Sequence, residues 1–184
     1  MAEIVYGEQA VSEVARELIR IFESADWSGT LYIGYPILSN IEGTVRTDAL
    51  YVSQQAGVVI FDANHLQVRQ SDAGMIEQVR NAQDKLFAAI SSKLLETPEL
   101  LERRQLAVPI SVISISSEGN FEAGDVFVST VENVPTHIRN SNALSAEKFE
   151  ILNSVIERTA TIRPRKKRGE CDEARLSRDD SKSY

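Results

Sequence analysis

At 184 residues, with 42% apolar and 26% charged side chains, the chain has the size and composition of one globular domain with a substantial core. Apolar runs such as Val58 to Phe61 are far too short to span a bilayer, Glu3, Glu8, Glu13 and Glu17 argue against a secretory signal, and the single Cys171 excludes an internal disulfide or a cysteine-based zinc site, so a cytoplasmic protein without a membrane partner is expected. The net charge of −7 is unevenly spread: residues 163–184 hold eight Lys/Arg against five Asp/Glu, whereas residues 1–162 hold twelve against twenty-two, which argues against a broad nucleic-acid footprint.

In chain order, Val11, Val14, Leu18, Ile21 and Phe22 repeat at helical spacing and predict a helix over about Glu8 to Ser24. Thr30 to Tyr35 reads as a short strand ended by Pro36. Thr47 to Ser53 and Val58 to Asp62 read as two more strands, joined by a tight Gln54-Gln55-Ala56-Gly57 turn into a hairpin. Ile76, Val79, Leu86, Ile90 and Leu94 lie along one side of a long helix that runs until Pro98. Val108 to Ile115 alternates as a half-buried strand, and Val126 to Val131 is a further short strand. Ser145 opens a last helix whose apolar face is Phe149, Leu152, Val155 and Ile156. From Arg163 onward almost nothing apolar remains, so residues 1–162 are expected to form one α/β domain and 163–184 a disordered tail or linker.

The predicted hairpin brings Asp48 and Asp62 together at its open end. Carboxylates on adjacent strands suit Mg²⁺ or Mn²⁺, which need only one to three protein ligands, and Glu8 is a candidate third. The plainer alternatives are that Asp48 and Asp62 end strands as solvated acids, and that Glu8 sits where the helix dipole favours an acid. His65 and His137 have no i,i+4 partner and read as surface or loop residues, as does the Arg103-Arg104 pair. Arg163, Arg165, Lys166, Lys167 and Arg168 form a cluster able to contact phosphates, or else a solvated tail.

The order α-β-β-β-α-β, with Gly7-Glu8, Asp48 and the strand from Gly57 to Asp62, resembles the PD-(D/E)XK nuclease superfamily. It is most similar to the nuclease-related (NERD-like) domain found at the N-terminus of some superfamily I DNA helicases. The phrases Tyr32-Ile33-Gly34-Tyr35-Pro36 and Glu42 to Leu50 carry the likeness, as does Thr161 to Arg168, which is similar to the linker into a helicase motor. The resemblance implies a restriction-endonuclease-like core with a central mixed sheet flanked by helices, plus an extra C-terminal helix. It also implies metal-binding acids at Glu8, Asp48 and Asp62, a polar site residue at Gln83, and a lysine at the position that Asn64 occupies. Asparagine supplies no positive charge to orient water or steady a phosphorane, and Lys85 is the neighbour able to offer one from elsewhere. The motor is absent, since no Gly-x-x-x-x-Gly-Lys-Ser/Thr occurs and no nucleotide hydrolysis is expected.

The functional expectation is therefore a degenerate nuclease-like domain that binds DNA or a helicase partner. The alternatives are a weakly active Mg²⁺- or Mn²⁺-dependent DNA nuclease, or the N-terminal fragment of a split helicase.

Overall fold

Short apolar runs in the middle of the chain become the central strands of a seven-stranded mixed sheet, and the amphipathic helices cover its two faces. The computed structural model describes residues 2–7, 10–34, 36–40, 43–138 and 144–160. The chain starts with β1 (Glu3–Tyr6), α1 (Glu13–Ser24) and β2 (Thr30–Ile33), followed by a separate two-stranded unit of β3 (Pro36–Asn40) and β4 (Gly43–Arg46). The central hairpin is β5 (Ala49–Ser53) and β6 (Gly57–Asp62), after which α2 (Ala73–Leu95) crosses to the far side of the sheet. A small hairpin of β7 (Leu101–Glu102) and β8 (Gln105–Leu106) precedes β9 (Ile110–Ile115), then β10 (Phe121–Ala123) and β11 (Val126–Ser129). The short α3 (Val134–His137) and the longer α4 (Ala146–Ala160) complete the described fold.

The sheet order is β1-β2-β5-β6-β9-β11-β10. The pairs β1/β2, β6/β9 and β9/β11 are parallel, while β5 is antiparallel to both of its neighbours. Hence β1, β2, β6, β9 and β11 all run the same way, and their carboxyl ends share one edge of the sheet with the start of β5. Open α/β sheets commonly form binding crevices along such an edge.

Side-chain alternation assigns the two faces. Ala49, Tyr51, Val59 and Phe61 pack with Ala15, Leu18 and Phe22 of α1. Leu50, Val52, Val58 and Ile60 pack with Leu86, Ile90 and Leu94 of α2 and with Leu152 and Ile156 of α4. Both strands of the hairpin are therefore buried on both faces, which is why Val58 to Phe61 is apolar without interruption. At the closed end, Gly57 adopts φ +71°, and a Cβ there would stand 2.3 Å from the Pro109 carbonyl oxygen, so no larger residue fits the turn.

The first helix begins at Glu13 rather than Glu8. Ser12 is its N-cap, with Oγ accepting from the Ala15 N–H at 3.1 Å, and β1 occupies the chain just upstream. Asp72 caps α2 in the same way, accepting from the Met75 N–H at 3.0 Å. The tip of the β7–β8 hairpin is unusual in its residues. Arg103 (φ +49°) and Arg104 (φ +68°) both lie in the left-handed region. Positive φ at both central positions is what a two-residue hairpin of the I′ type requires, and asparagine followed by glycine is its usual filling. A bulky side chain in this conformation costs about 1–2 kcal/mol per residue.

Candidate functional site

The two aspartates singled out from the sequence do come to the same place. The register pairs Ala49 with Phe61, and the Asp48 N–H donates to the Phe61 carbonyl at 3.2 Å, so Asp48 stands opposite Asp62 at the open end of the hairpin. This is also the edge where the parallel strands end. Asp48 precedes β5 instead of lying within it, and is partly exposed, whereas Asp62 is 0% exposed.

Their hydrogen bonds separate them. Asp48 Oδ1 accepts from Ser12 Oγ at 2.8 Å, and Oδ2 accepts from the Ala63 N–H at 2.8 Å. One carboxylate thus joins the N-terminus of α1 to the chain leaving β6. Asp62, by alternation with Ile60, belongs to the face that packs α2. Its Oδ1 accepts from both the backbone N–H (3.2 Å) and the side-chain amide of Asn64. The residue at the expected lysine position therefore turns back on the acid, closing an Asx-type turn.

His65 was not marked by its sequence spacing, yet it completes this cluster. Its Nδ1 lies 3.9 Å from Asp62 Oδ2, and its side chain is 21% exposed. Both of these atoms are buried without a hydrogen-bond partner among the described residues. Burial is the main force on the Asp62 carboxyl and pushes its pKa above the usual carboxylate range; the Asn64 hydrogen bonds and the His65 charge oppose this, and the Asp48 charge adds to it. A raised folded-state pKa means that the stability this group contributes is full below the ordinary aspartate pKa and is lost as pH rises through the raised value. Asp62→Asn should therefore be more stable than the wild type at neutral pH, with the gap closing below about pH 4. Thermal melting of both proteins across that range checks the sign.

The loop after β6 is held firmly. Ser116 Oγ donates to the Leu66 and Val68 carbonyls at 3.0 and 3.1 Å, and the Ser117 N–H donates to Leu66 at 2.7 Å. Asn64 and His65 thus sit on backbone stapled to the end of β9. Asp48 lines two cavities along this edge, one of about 180 Å³ against Asn64 and Thr47, the other of about 450 Å³ between α1 and the ends of β9 and β11. The larger one has Glu13, Glu17 and Glu132 on its walls and, among the described residues, no lysine or arginine.

Gln83 is buried and clamps α2 to the sheet: its Nε2 donates to Ser114 Oγ at 2.9 Å and to the Phe127 carbonyl at 2.8 Å. Ser114 is the β9 register partner of Asp62, so Gln83 reaches the strand beside the acid. Lys85 cannot replace the missing charge. It is exposed on α2, two positions beyond buried Gln83 and so about 200° around the helix. His137 is the last residue of α3 and is half-buried. Glu8 and the Arg163, Arg165, Lys166, Lys167 and Arg168 group lie outside the described residues.

Mg²⁺ typically takes about six oxygen ligands, several of them water. Here both oxygens of Asp48 and one of Asp62 already accept protein hydrogen bonds. Among the described residues no group of three His, Cys, Asp or Glu side chains is arranged to hold an ion. Asp62 Oδ2 is the one oxygen of these two aspartates without a hydrogen-bond partner among the described residues, short of the set such an ion takes. No helix among the described residues is long and apolar enough to cross a membrane. Comparison of the chain with protein-family models, curated proteins and solved structures finds no match.

Proposed function

We propose that this chain is a nuclease-like α/β domain that has lost phosphodiester cleavage and works as a DNA-binding module, alone or beside a helicase partner. The order of α1, β2, β5, β6, α2 and β9 supports the restriction-endonuclease-like reading, with β1 and the β3–β4 unit as additions. One observation carries the loss of cleavage. Asn64 spends its side chain on Asp62 Oδ1, while Ser12 and Ala63 occupy Asp48, so the acids bind their own fold.

A water-activating site needs open carboxylate oxygens and a cation near the developing charge. Among the described residues, neither cavity beside Asp48 has a basic side chain on its walls. The acidic walls would also repel a phosphate backbone laid along that edge, so DNA contact is expected on other parts of the surface.

The test is an assay of the full chain on single- and double-stranded oligonucleotides with Mg²⁺ or Mn²⁺, read by electrophoresis for cutting and by anisotropy for binding. Binding without cutting is expected. Metal-dependent cutting that disappears in Asp62→Ala would replace this reading with the active-nuclease alternative, and absence of binding to every DNA form would sink it. Asn64→Lys alone should not produce cleavage, because Asp48 remains tied to Ser12 and Ala63. Cleavage gained by that single change would mean that only the cation had been lost.

A further inference from the structure

The least economical local structure in the protein is the tip of the β7–β8 hairpin. Its register pairs Leu101 with Leu106 and Glu102 with Gln105, leaving Arg103 and Arg104 as the two turn residues, each with positive φ. Neither residue is of a type that favours this geometry, and both are exposed. Neither makes a hydrogen bond or ion pair with another described residue.

The base of the hairpin is fixed. Leu100, just before it, is fully buried, and Leu106 packs against the same core cluster. Glu102 pairs with Lys148 of α4, whose hydrogen bond and charge lower its pKa, and the Arg103 charge adds a smaller push the same way. The hairpin leads into the start of β9, and so lies at the opposite edge of the sheet from Asp62 and the acid-walled crevice. A strained turn on a fixed base therefore presents two guanidinium groups without a hydrogen-bond partner among the described residues.

We propose that the Arg103–Arg104 tip is a contact surface for the phosphate backbone of a nucleic acid. This inference rests on the DNA-binding reading and places contact away from the acids. Guanidinium is suited to the task, since its planar fork donates two parallel hydrogen bonds to phosphate oxygens. The strain is the second argument. An Asn-Gly pair would close the same turn at ease, so holding arginine there calls for a use of the side chains that turn formation does not supply.

The decisive variant relieves the strain and removes the charge together: Arg103→Asn with Arg104→Gly. It should melt about 4 °C higher than the wild type, yet bind a duplex oligonucleotide about fivefold more weakly at moderate salt. The slope of log affinity against log salt should become shallower by about 1.8, the release expected for two phosphate contacts. A second variant, Arg103→Lys with Arg104→Lys, keeps the charges and should keep the wild-type slope. Unchanged affinity and slope in the Asn-Gly variant, with wild-type binding intact, would overturn the hairpin surface and leave the DNA-binding reading standing. No binding by the wild type would remove both.

Discussion

Phe22→Ala is expected to cost about 3–5 kcal/mol of folding stability, the usual range for emptying a fully buried aromatic site. Phe22 is 0% exposed and stands at the centre of an aromatic group, with ring centroids 4.7 Å from Tyr51, 5.3 Å from Trp27 and 6.3 Å from Phe61. These neighbours come from the sheet and from the chain after α1, and their rings cannot all close on the vacated volume. The helix that Phe22 anchors also carries Ser12 at its N-terminus, so weakening its packing loosens the partner of Asp48. Chemical denaturation followed by circular dichroism measures the loss. Phe22→Leu, which keeps most of the volume, should cost far less. A loss under about 1 kcal/mol for the alanine variant would show that α1 does not pack on the hairpin as described.

Asp48→Ala is expected to cost about 2–4 kcal/mol, because it strips an acceptor from both Ser12 Oγ and the Ala63 N–H. Asp48→Asn should cost under about 1 kcal/mol, since the amide can still accept from Ala63 and can donate to Ser12 Oγ. Measured with a chelator present, this ranking separates a structural tie from a metal ligand. A ligand role predicts little change in stability for either variant under those conditions. Equal and small effects would therefore return Asp48 to the catalytic reading.

Much of this framework was legible in the sequence because hydrophobic period and turn chemistry agreed there. The β5–β6 hairpin announces itself through two apolar runs around Gly57, and α2 through the spacing from Val79 to Leu94. The elements that escaped are those whose signals are short or misleading. β1 has only four residues, exposed at both ends and no more than half-buried between them, and β3 begins at Pro36, which reads as a strand terminator. The β7–β8 turn is filled by two arginines, and no sequence rule marks Arg-Arg as a hairpin. At the candidate site, the meeting of Asp48 and Asp62 follows from strand register. Their partners do not: Ser12 lies 36 positions from Asp48, and a distant hydroxyl leaves no trace in local pattern. His65 is passed over by the i,i+4 test for zinc, although its place three residues after Asp62 puts it against that acid.

The strand lengths carry a consequence for solubility. The sheet ends in β1, with four residues, and β10, with three, whereas β6 and β9 at its centre have six each. Short margins offer little template for pairing with another molecule. The Val58 to Phe61 segment, which has the composition of an aggregation-prone stretch, is enclosed by β5 on one side and β9 on the other. Fraying at either margin leaves it covered. Self-association should thus begin only when an inner strand detaches, a far rarer opening than loss of an edge.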